Sequence, residues 1–158
     1  MTLLDIIPLE AILPSMKAKT KESAVEELVD ALIRAKKLPA SSRDEVIRAV
    51  MKRERLGSTG IGSGLAVPHV KQSPHVPKIM GAFGRVEDGI EFGAIDGEPV
   101  HLLFLLLSPP GDPSIHLEAL KMLSSLTRDE NFCKFLRAAE DLDRIVETLS
   151  EVGEVSKR

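Results

Sequence analysis

The sequence has no tryptophan and no tyrosine, and only five of its 158 residues are phenylalanine. Proteins that bind single-stranded nucleic acids stack bases on aromatic side chains, and those that bind duplexes neutralise phosphates with Lys and Arg. With a formal net charge of -3, this chain has neither an aromatic platform nor a basic excess. We therefore expect no nucleic-acid partner.

Cysteine and long apolar runs are also scarce. Cys133 is the single cysteine, so an intrachain disulfide and zinc sites with two or four cysteines are excluded. The longest apolar run, "VHLLFLLL" at 100–107, is far shorter than the roughly 20 residues of a membrane helix. The apolar start of the chain is broken by charged and proline residues and has no basic leader. We expect a cytoplasmic protein without membrane insertion, metal or cofactor.

Two amphipathic helices are predicted in the first third of the chain. The first covers 21–37, where apolar residues recur every three or four positions after Thr20 as the N-cap. The second follows the capping-box pair Ser42 and Glu45 and ends at Gly57. Each helix has one apolar face to bury against a core.

Strands are predicted in the middle of the chain and helices again after them. The strand-like segments are 65–67, 79–86 and 100–107. The last segment is apolar on both alternating faces, as in a central strand that is covered on both sides. Later helical patterns lie over 112–126, 131–139 and 142–149. Helices on both sides of the strands predict an α/β fold, a three-layer α/β/α sandwich with a small mixed sheet.

The stretch "GSTGIGSGLAVPHV", residues 57–70, has four glycines within eight positions before a short apolar run, Pro68 and His69. It lacks the lysine of a phosphate-binding P-loop, and Ser63 lacks the flanking glycines of a nucleophile elbow. Because proline tends to end a strand, His69 is expected where sheet becomes loop. Taken alone, the stretch also fits a plain turn before a surface histidine.

A longer pattern points to a family. The residues "RERLGSTGIGSGLAVPH" from Arg53 to His69, followed by "IHLEAL" with His116, resemble the fructose/mannitol-type enzyme IIA family of the bacterial phosphoenolpyruvate-dependent phosphotransferase system. The likeness covers about 3–149 and is greatest to the nitrogen-regulatory branch. It implies one IIA domain over 1–150, and we expect 151–158 to be a frayed tail.

The resemblance also implies site residues. In that family, the histidine of the Ala-x-Pro-His motif accepts a phosphoryl group from a small histidine phosphocarrier protein and passes it on. The motif places this histidine at His69, the second active-site histidine at His116 and the active-site arginine at Arg53. Histidine suits a carrier because it is partly neutral near pH 7 and its phosphoryl adduct transfers easily. His116 would lie in the first turn of a helix capped by Asp112, where the helix end favours an anion and disfavours an imidazolium.

Four further positions carry expectations. Thr59 and Ser108 are predicted to donate hydroxyl hydrogen bonds to the phosphoryl group, and the flexible glycine-rich backbone of 60–64 is expected to bring amides close to it. Val70 stands where family members commonly carry glycine, and Ser63 stands where a carboxylate or amide is frequent. Because a β-branched residue resists positive φ, we expect Val70 to have negative φ and to lie on the rim of the site.

The expected function is a cytoplasmic phosphocarrier with a phosphohistidine intermediate, rather than a stand-alone enzyme for small molecules. A regulatory, nitrogen-type role is preferred because no IIB-like or membrane domain is fused to the domain. Two alternatives remain open. One is a sugar-specific IIA component that passes the phosphoryl group to a IIB protein, and the other is a regulatory binding module that is not phosphorylated. The sugar, the regulated target protein and the oligomeric state are left open.

Overall fold

The computed structural model describes residues 1–156. The α-helices within them are α1 (Leu3–Ile6), α2 (Lys21–Arg34), α3 (Arg43–Arg55), α4 (Pro113–Ser125), α5 (Glu130–Ala138) and α6 (Leu142–Ser156). The strands are β1 (Ile12–Leu13), β2 (Gly60–Gly62), β3 (Leu65–Ala66), β4 (His69–Val70), β5 (Met80–Ile90) and β6 (Val100–Leu107). Short 3₁₀ turns cover Leu9–Ala11, Ala40–Ser42 and Leu126–Arg128.

The strands form one mixed sheet built around β6. On one side β6 pairs antiparallel with β5, with Phe104 opposite Phe83. On the other side it pairs parallel with β3 near its start and with β4 near its end. At the edges, β1 runs parallel to β5 and β2 runs antiparallel to β3. The predicted mixed sheet is confirmed.

The sheet is covered on both faces. Residues 102–107 of β6 are each at most 1% exposed. The odd-numbered residues of this run pack into a core cluster with α2 and α3. Its even-numbered residues pack into a second cluster with α1, α4, α5 and α6. The alternation of β6 side chains between two cores confirms the predicted α/β fold and its buried central strand.

The start of α2 follows the sequence prediction, but its end does not. Thr20 Oγ1 accepts a hydrogen bond from the Ser23 backbone N–H at 3.1 Å, as expected of the N-cap. The helix ends at Arg34 instead of residue 37, because Lys36 takes a left-handed conformation with φ of 60°. A left-handed residue just past the last turn is a common way for a helix to end.

The predicted capping box at the start of α3 is wrong. Ser42 has a helical backbone conformation and its side chain makes no capping hydrogen bond, because it closes the 3₁₀ turn that precedes α3. The Glu45 carboxylate instead pairs with Arg48 on the next turn at 2.6 Å. The chain therefore enters α3 without a break in helical backbone.

The strands differ from the predictions in length. β1, β2 and β4 have two or three residues each, which is too short for an alternating pattern to be recognised. Conversely, β5 continues through the Asp88–Gly89 pair that has the composition of a turn. Gly89 has φ of 81°, and the register with β6 shifts between Arg85 and Ile90. The pair therefore forms an irregularity within a strand rather than a connection.

The end of the chain is helical as far as the structure describes it. The predicted helix over 142–149 extends in α6 to Ser156, and residues 157 and 158 of the expected frayed tail lie outside the described residues. The division into a domain over 1–150 and a tail stays a prediction. No helix within residues 1–156 combines the length and apolar character that a bilayer crossing requires.

Burial of β6 on both faces predicts a large stability effect there. Leu103 is fully buried, so Leu103→Ala should lower the free energy of unfolding by about 2 to 5 kcal/mol. Leu9→Ala is the control because Leu9 is 55% exposed, and its effect should stay within about 0.5 kcal/mol. Urea denaturation followed by circular dichroism measures both. Equal effects of the two changes would contradict the placement of β6 in the core.

Candidate functional site

A cavity of about 540 Å³ lies at the carboxyl ends of β4 and β6. We call it the two-histidine cavity, since His69 and His116 both line it. Three segments that are distant in sequence meet there: the last turn of α3, the end of β4, and the connection from β6 into the first turn of α4. Arg53 comes from the first of these segments, so the structure brings together the three residues predicted to form the site.

His69 is held by β6 and by its own backbone. Leu106 N–H donates to Pro68 O at 3.0 Å and Ser108 N–H donates to Val70 O at 3.1 Å, so the backbone is fixed on both sides of His69. The ring Nδ1 lies 2.8 Å from the carbonyl oxygen of Val67. A carbonyl oxygen only accepts hydrogen bonds, so Nδ1 carries the ring proton and Nε2 keeps its lone pair.

The surroundings of His69 favour the neutral ring. Burial lowers the pKa of His69, the Val67 hydrogen bond opposes this shift, and Arg53 adds to it. The nearby charges of Glu54 and Lys71 oppose each other, since the carboxylate raises the pKa and the ammonium lowers it. A neutral imidazole with a free Nε2 is the nucleophilic form of histidine.

His116 lies in the first turn of α4, whose predicted cap is confirmed because the Asp112 carboxylate accepts the backbone N–H groups of Ser114 and Ile115. His116 is only 6% exposed. Burial lowers the pKa of His116 to about 4, and His69 and Lys71 add to the shift. The ring is therefore neutral at pH 7, as expected, although burial rather than the helix end is the main cause.

The hydrogen bonds of His116 are incomplete. Its Nδ1 lies 2.5 Å from the hydroxyl of Ser108. Its Nε2 is buried and has no hydrogen-bond partner, the one such side-chain atom among those the structure describes. The centroids of the His69 and His116 rings are 5.6 Å apart with 50° between their planes. The two imidazoles are thus neighbours, as predicted, and both residues line the same cavity.

Two cationic residues and Val70 also line the cavity. Arg53 Nη1 donates to the Gly57 carbonyl at 2.9 Å, which ties the end of α3 to the start of the glycine loop. Lys71 also lines the cavity and was not singled out from the sequence, although its place two residues after His69 was a usable signal. Val70 lines the cavity and does not have positive φ, as expected. Gln72, two residues later, has φ of 51°.

The two hydroxyl groups predicted to bind phosphate lie in different parts of the structure. Ser108 lines the two-histidine cavity, whereas Thr59 does not. The Thr59 hydroxyl donates to the carboxylate of Glu54, which also accepts the Thr59 backbone N–H at 3.2 Å and Lys21 Nζ at 2.9 Å. Glu54 is a buried carboxylate that sequence reasoning missed. Its position directly after Arg53 and five residues before Thr59 is the only trace of this role in the sequence.

The glycines of the loop do not reach the cavity. A Cβ on Gly60 would lie 2.7 Å from the Cβ of Ala94, so glycine is needed there for close packing rather than for ligand access. The Ser63 backbone N–H donates to the carboxylate of Asp96 at 3.1 Å. The interpretation that amides around residues 60–64 line the anion pocket is therefore wrong, because these residues form the hairpin of β2 and β3 and none of them lines the two-histidine cavity.

The remaining histidines lie apart from the site, as expected. His75 is exposed in the loop after β4. His101, in β6, has its Nδ1 3.0 Å from the carbonyl oxygen of Val86. Neither residue lines the two-histidine cavity.

Comparison with known proteins gives consistent matches over nearly the whole chain. Residues 5–152 match the family model "Phosphoenolpyruvate-dependent sugar phosphotransferase system, EIIA 2". The chain is 39% identical over 150 residues to a nitrogen regulatory protein of Bradyrhizobium diazoefficiens, with 95% of each chain covered. It is 36% identical over 149 residues to a fructose-specific EIIA component of the phosphotransferase system of Haloferax volcanii, covering 94% of this chain and 95% of that one. The crystal structure of nitrogen regulatory protein IIA-Ntr from Neisseria meningitidis aligns with a TM-score of 0.83 at 32% identity, covering 92% of this chain and 97% of that one.

The depressed pKa of His116 predicts a contribution to acid sensitivity. The unfolded chain binds a proton at this histidine below about pH 6.5, whereas the folded chain resists protonation down to about pH 4. The contribution of His116 should therefore be lost as pH falls between these values and should level off below them. Thermal unfolding measured across this range should show a shallower decline for His116→Gln than for the unaltered protein. Identical declines would show that His116 titrates in the same way in both states.

Proposed function

Since the chain belongs to the EIIA 2 family of the phosphoenolpyruvate-dependent sugar phosphotransferase system, we propose that it is a phosphocarrier. The phosphoryl group comes from a histidine phosphocarrier protein and binds Nε2 of His69. The observation that carries this proposal is the His69 ring, held through Nδ1 by the Val67 carbonyl, with Nε2 free beside His116 and Arg53.

The transfer needs no proton movement at His69. The Nε2 lone pair attacks phosphorus while the phosphorus–nitrogen bond of the donor breaks, and its electron pair returns to the donor's ring nitrogen. The His69 ring then carries the phosphoryl group on Nε2 and its original proton on Nδ1. That proton stays in its hydrogen bond to Val67 O, which becomes charge-assisted as positive charge spreads over the ring. The reverse step releases the group to the next acceptor by the same path.

The charges around the cavity support this role. A phosphoryl group on histidine carries close to two negative charges and needs donors from several directions. Arg53 and Lys71 supply positive charge, and His116, which also lines the cavity, has a buried Nε2 without a partner among the described residues. Donors that are in place before transfer need little reorganisation when the charge arrives. Because Thr59 binds Glu54, its part in the proposal is to support the loop rather than to contact phosphate.

A regulatory function of the nitrogen type is the first candidate. Its support is the 39% identity to a nitrogen regulatory protein and the likeness to the Neisseria IIA-Ntr structure. The partners proposed are the histidine phosphocarrier protein and a target protein whose activity follows the phosphorylation state of His69. Cytoplasmic location is part of this proposal, because the phosphoryl donor of the system works there.

A sugar-specific IIA component is the second candidate, and the 36% identity to a fructose-specific EIIA component favours it. This role requires a IIB protein as the next acceptor. Isotopically labelled protein should be mixed with the IIB proteins and domains encoded in the same genome, and label on IIB measured with time. Transfer within seconds would select the sugar-specific role, whereas label retained on His69 would select the regulatory role.

The site of phosphorylation is tested by substitution. His69→Ala should abolish labelling from phosphoenolpyruvate in the presence of enzyme I and the histidine phosphocarrier protein, because it removes the nucleophile. Its effect on stability should be small, since the side chain is half-buried at a strand end. His75→Ala is the matched control, because His75 is exposed and outside the cavity, and it should label fully. The label should be acid-labile, as expected of phosphohistidine.

His116→Ala should show whether His116 supports the transfer or is itself the phosphoryl acceptor. Labelling is expected to slow by about 10- to 100-fold without stopping, since one hydrogen bond to a charged group is lost while the nucleophile remains. Undiminished labelling of His69→Ala would refute the acceptor assignment. Failure of the unaltered protein to take any label would leave a regulatory binding module of the same fold as the function.

A further inference from the structure

Ser108 links the strand that carries His69 to the ring of His116. It directly follows β6 and is 2% exposed. Its backbone N–H donates to Val70 O at 3.1 Å, and its carbonyl accepts from Ser73 N–H at 2.9 Å. These bonds fix the residue on both sides, so the position of its hydroxyl is set by the strand that carries His69. That hydroxyl lies 2.5 Å from His116 Nδ1.

Two arrangements of protons are compatible with this contact. His116 is neutral at pH 7, so only one ring nitrogen carries a proton. If Nδ1 carries it, Nδ1–H donates to the Ser108 oxygen, and the serine proton has no acceptor among the hydrogen bonds of the described residues. If Nε2 carries the proton, the serine hydroxyl donates its hydrogen to the lone pair of Nδ1, so the serine proton has an acceptor. The second arrangement satisfies both groups at their short contact.

We propose that Ser108 is a positioning residue that donates its hydroxyl hydrogen to Nδ1 of His116 and so keeps the ring proton on Nε2. This rests on the proposed function, because Nε2–H would then donate a hydrogen bond to an oxygen of the incoming phosphoryl group. Ser108 therefore acts through His116 rather than as the phosphate ligand expected from the sequence.

The unpartnered Nε2 of His116 supports this assignment. Buried polar atoms in folded proteins nearly always have partners, so an unpartnered atom on a residue that lines a cavity points to a ligand that supplies the missing partner. Phosphoryl oxygens are acceptors at neutral pH. A protonated Nε2 would donate to them, whereas an Nε2 lone pair would repel them. The Ser108 contact selects the favourable form.

The two histidines thus have opposite tautomers. Val67 O keeps the proton of His69 on Nδ1 and leaves an electron pair on Nε2. Ser108 keeps the proton of His116 on Nε2 and leaves the electron pair on Nδ1. The His69 ring can therefore bond to phosphorus through its lone pair, and the His116 ring can donate a hydrogen bond to the phosphoryl oxygens. A hydroxyl beside one ring and a carbonyl beside the other are sufficient to produce this difference.

The test is nitrogen NMR of protein labelled with ¹⁵N-histidine, without any phosphocarrier, at pH 7. The expected result is a pyrrole-like Nε2 and a pyridine-like Nδ1 for His116. Ser108→Ala should shift the tautomer ratio towards Nδ1–H by about fivefold, as expected for the loss of one neutral hydrogen bond. Ser73→Ala is the matched control, since Ser73 is similarly buried at 4% exposure and its hydroxyl accepts from His75 N–H at 3.4 Å; it should leave the ratio unchanged.

Two results would overturn the proposal: a protonated Nδ1 on His116 in the unaltered protein, or a ratio that does not change in Ser108→Ala. The rate of phosphoryl transfer is the second readout, and Ser108→Ala should slow it by about fivefold with no change in Ser73→Ala. Because the spectra are recorded without a phosphoryl donor, the tautomer result stands or falls independently of labelling at His69. Loss of labelling in the unaltered protein would instead contradict the proposed function.

Discussion

The pairing of β4 with the end of β6 is the interaction on which the site depends. β6 is buried on both faces, so its position is set by the two cores of the domain. Hydrogen bonds from Leu106 and Ser108 to the residues on either side of His69 transmit that position to the imidazole. His116 follows one turn into the helix that the same strand leads into. A strand of two residues can therefore hold the His69 imidazole in a defined place, because its partner strand is packed between the two cores.

Burial has a chemical consequence as well as a structural one. It lowers the pKa of both His69 and His116, so two imidazoles can lie side by side without repulsion between positive charges. A neutral histidine still has one donor and one acceptor nitrogen, and its neighbours decide which nitrogen is which. A carbonyl beside His69 and a hydroxyl beside His116 therefore determine what each ring presents to the cavity.

The sequence predicts the parts of this protein that depend on local pattern. The continuous apolar run of β6 and the cap at Thr20 are local, and the elements they predict are present. The motif before His69 predicts the strand at 65–67 but not β4, in which the structure places His69 itself. The capping box at Ser42 fails because the preceding residues already form a 3₁₀ turn. The prediction that glycine amides line the cavity is wrong because Gly60 packs against Ala94. This contact joins residues 34 positions apart, and no local pattern encodes it. Glu54 and the contact of Ser108 with His116 depend on tertiary geometry in the same way.

The residues that line the cavity include two cations and one carboxylate, although the chain is negative overall, and the buried Glu54 is not among them. Its carboxylate is engaged by Lys21 and Thr59, and Lys21 also lies 4.5 Å from the centre of the Phe92 ring. Asp112 is the acidic residue among those lining the cavity, and its carboxylate is bound to the first turn of α4. Arg53 and Lys71 thus face the cavity without a carboxylate ion-pair partner among the described residues. An arriving anion meets positive charge that nearby carboxylates have not neutralised, and this bias exists before any phosphoryl group is bound.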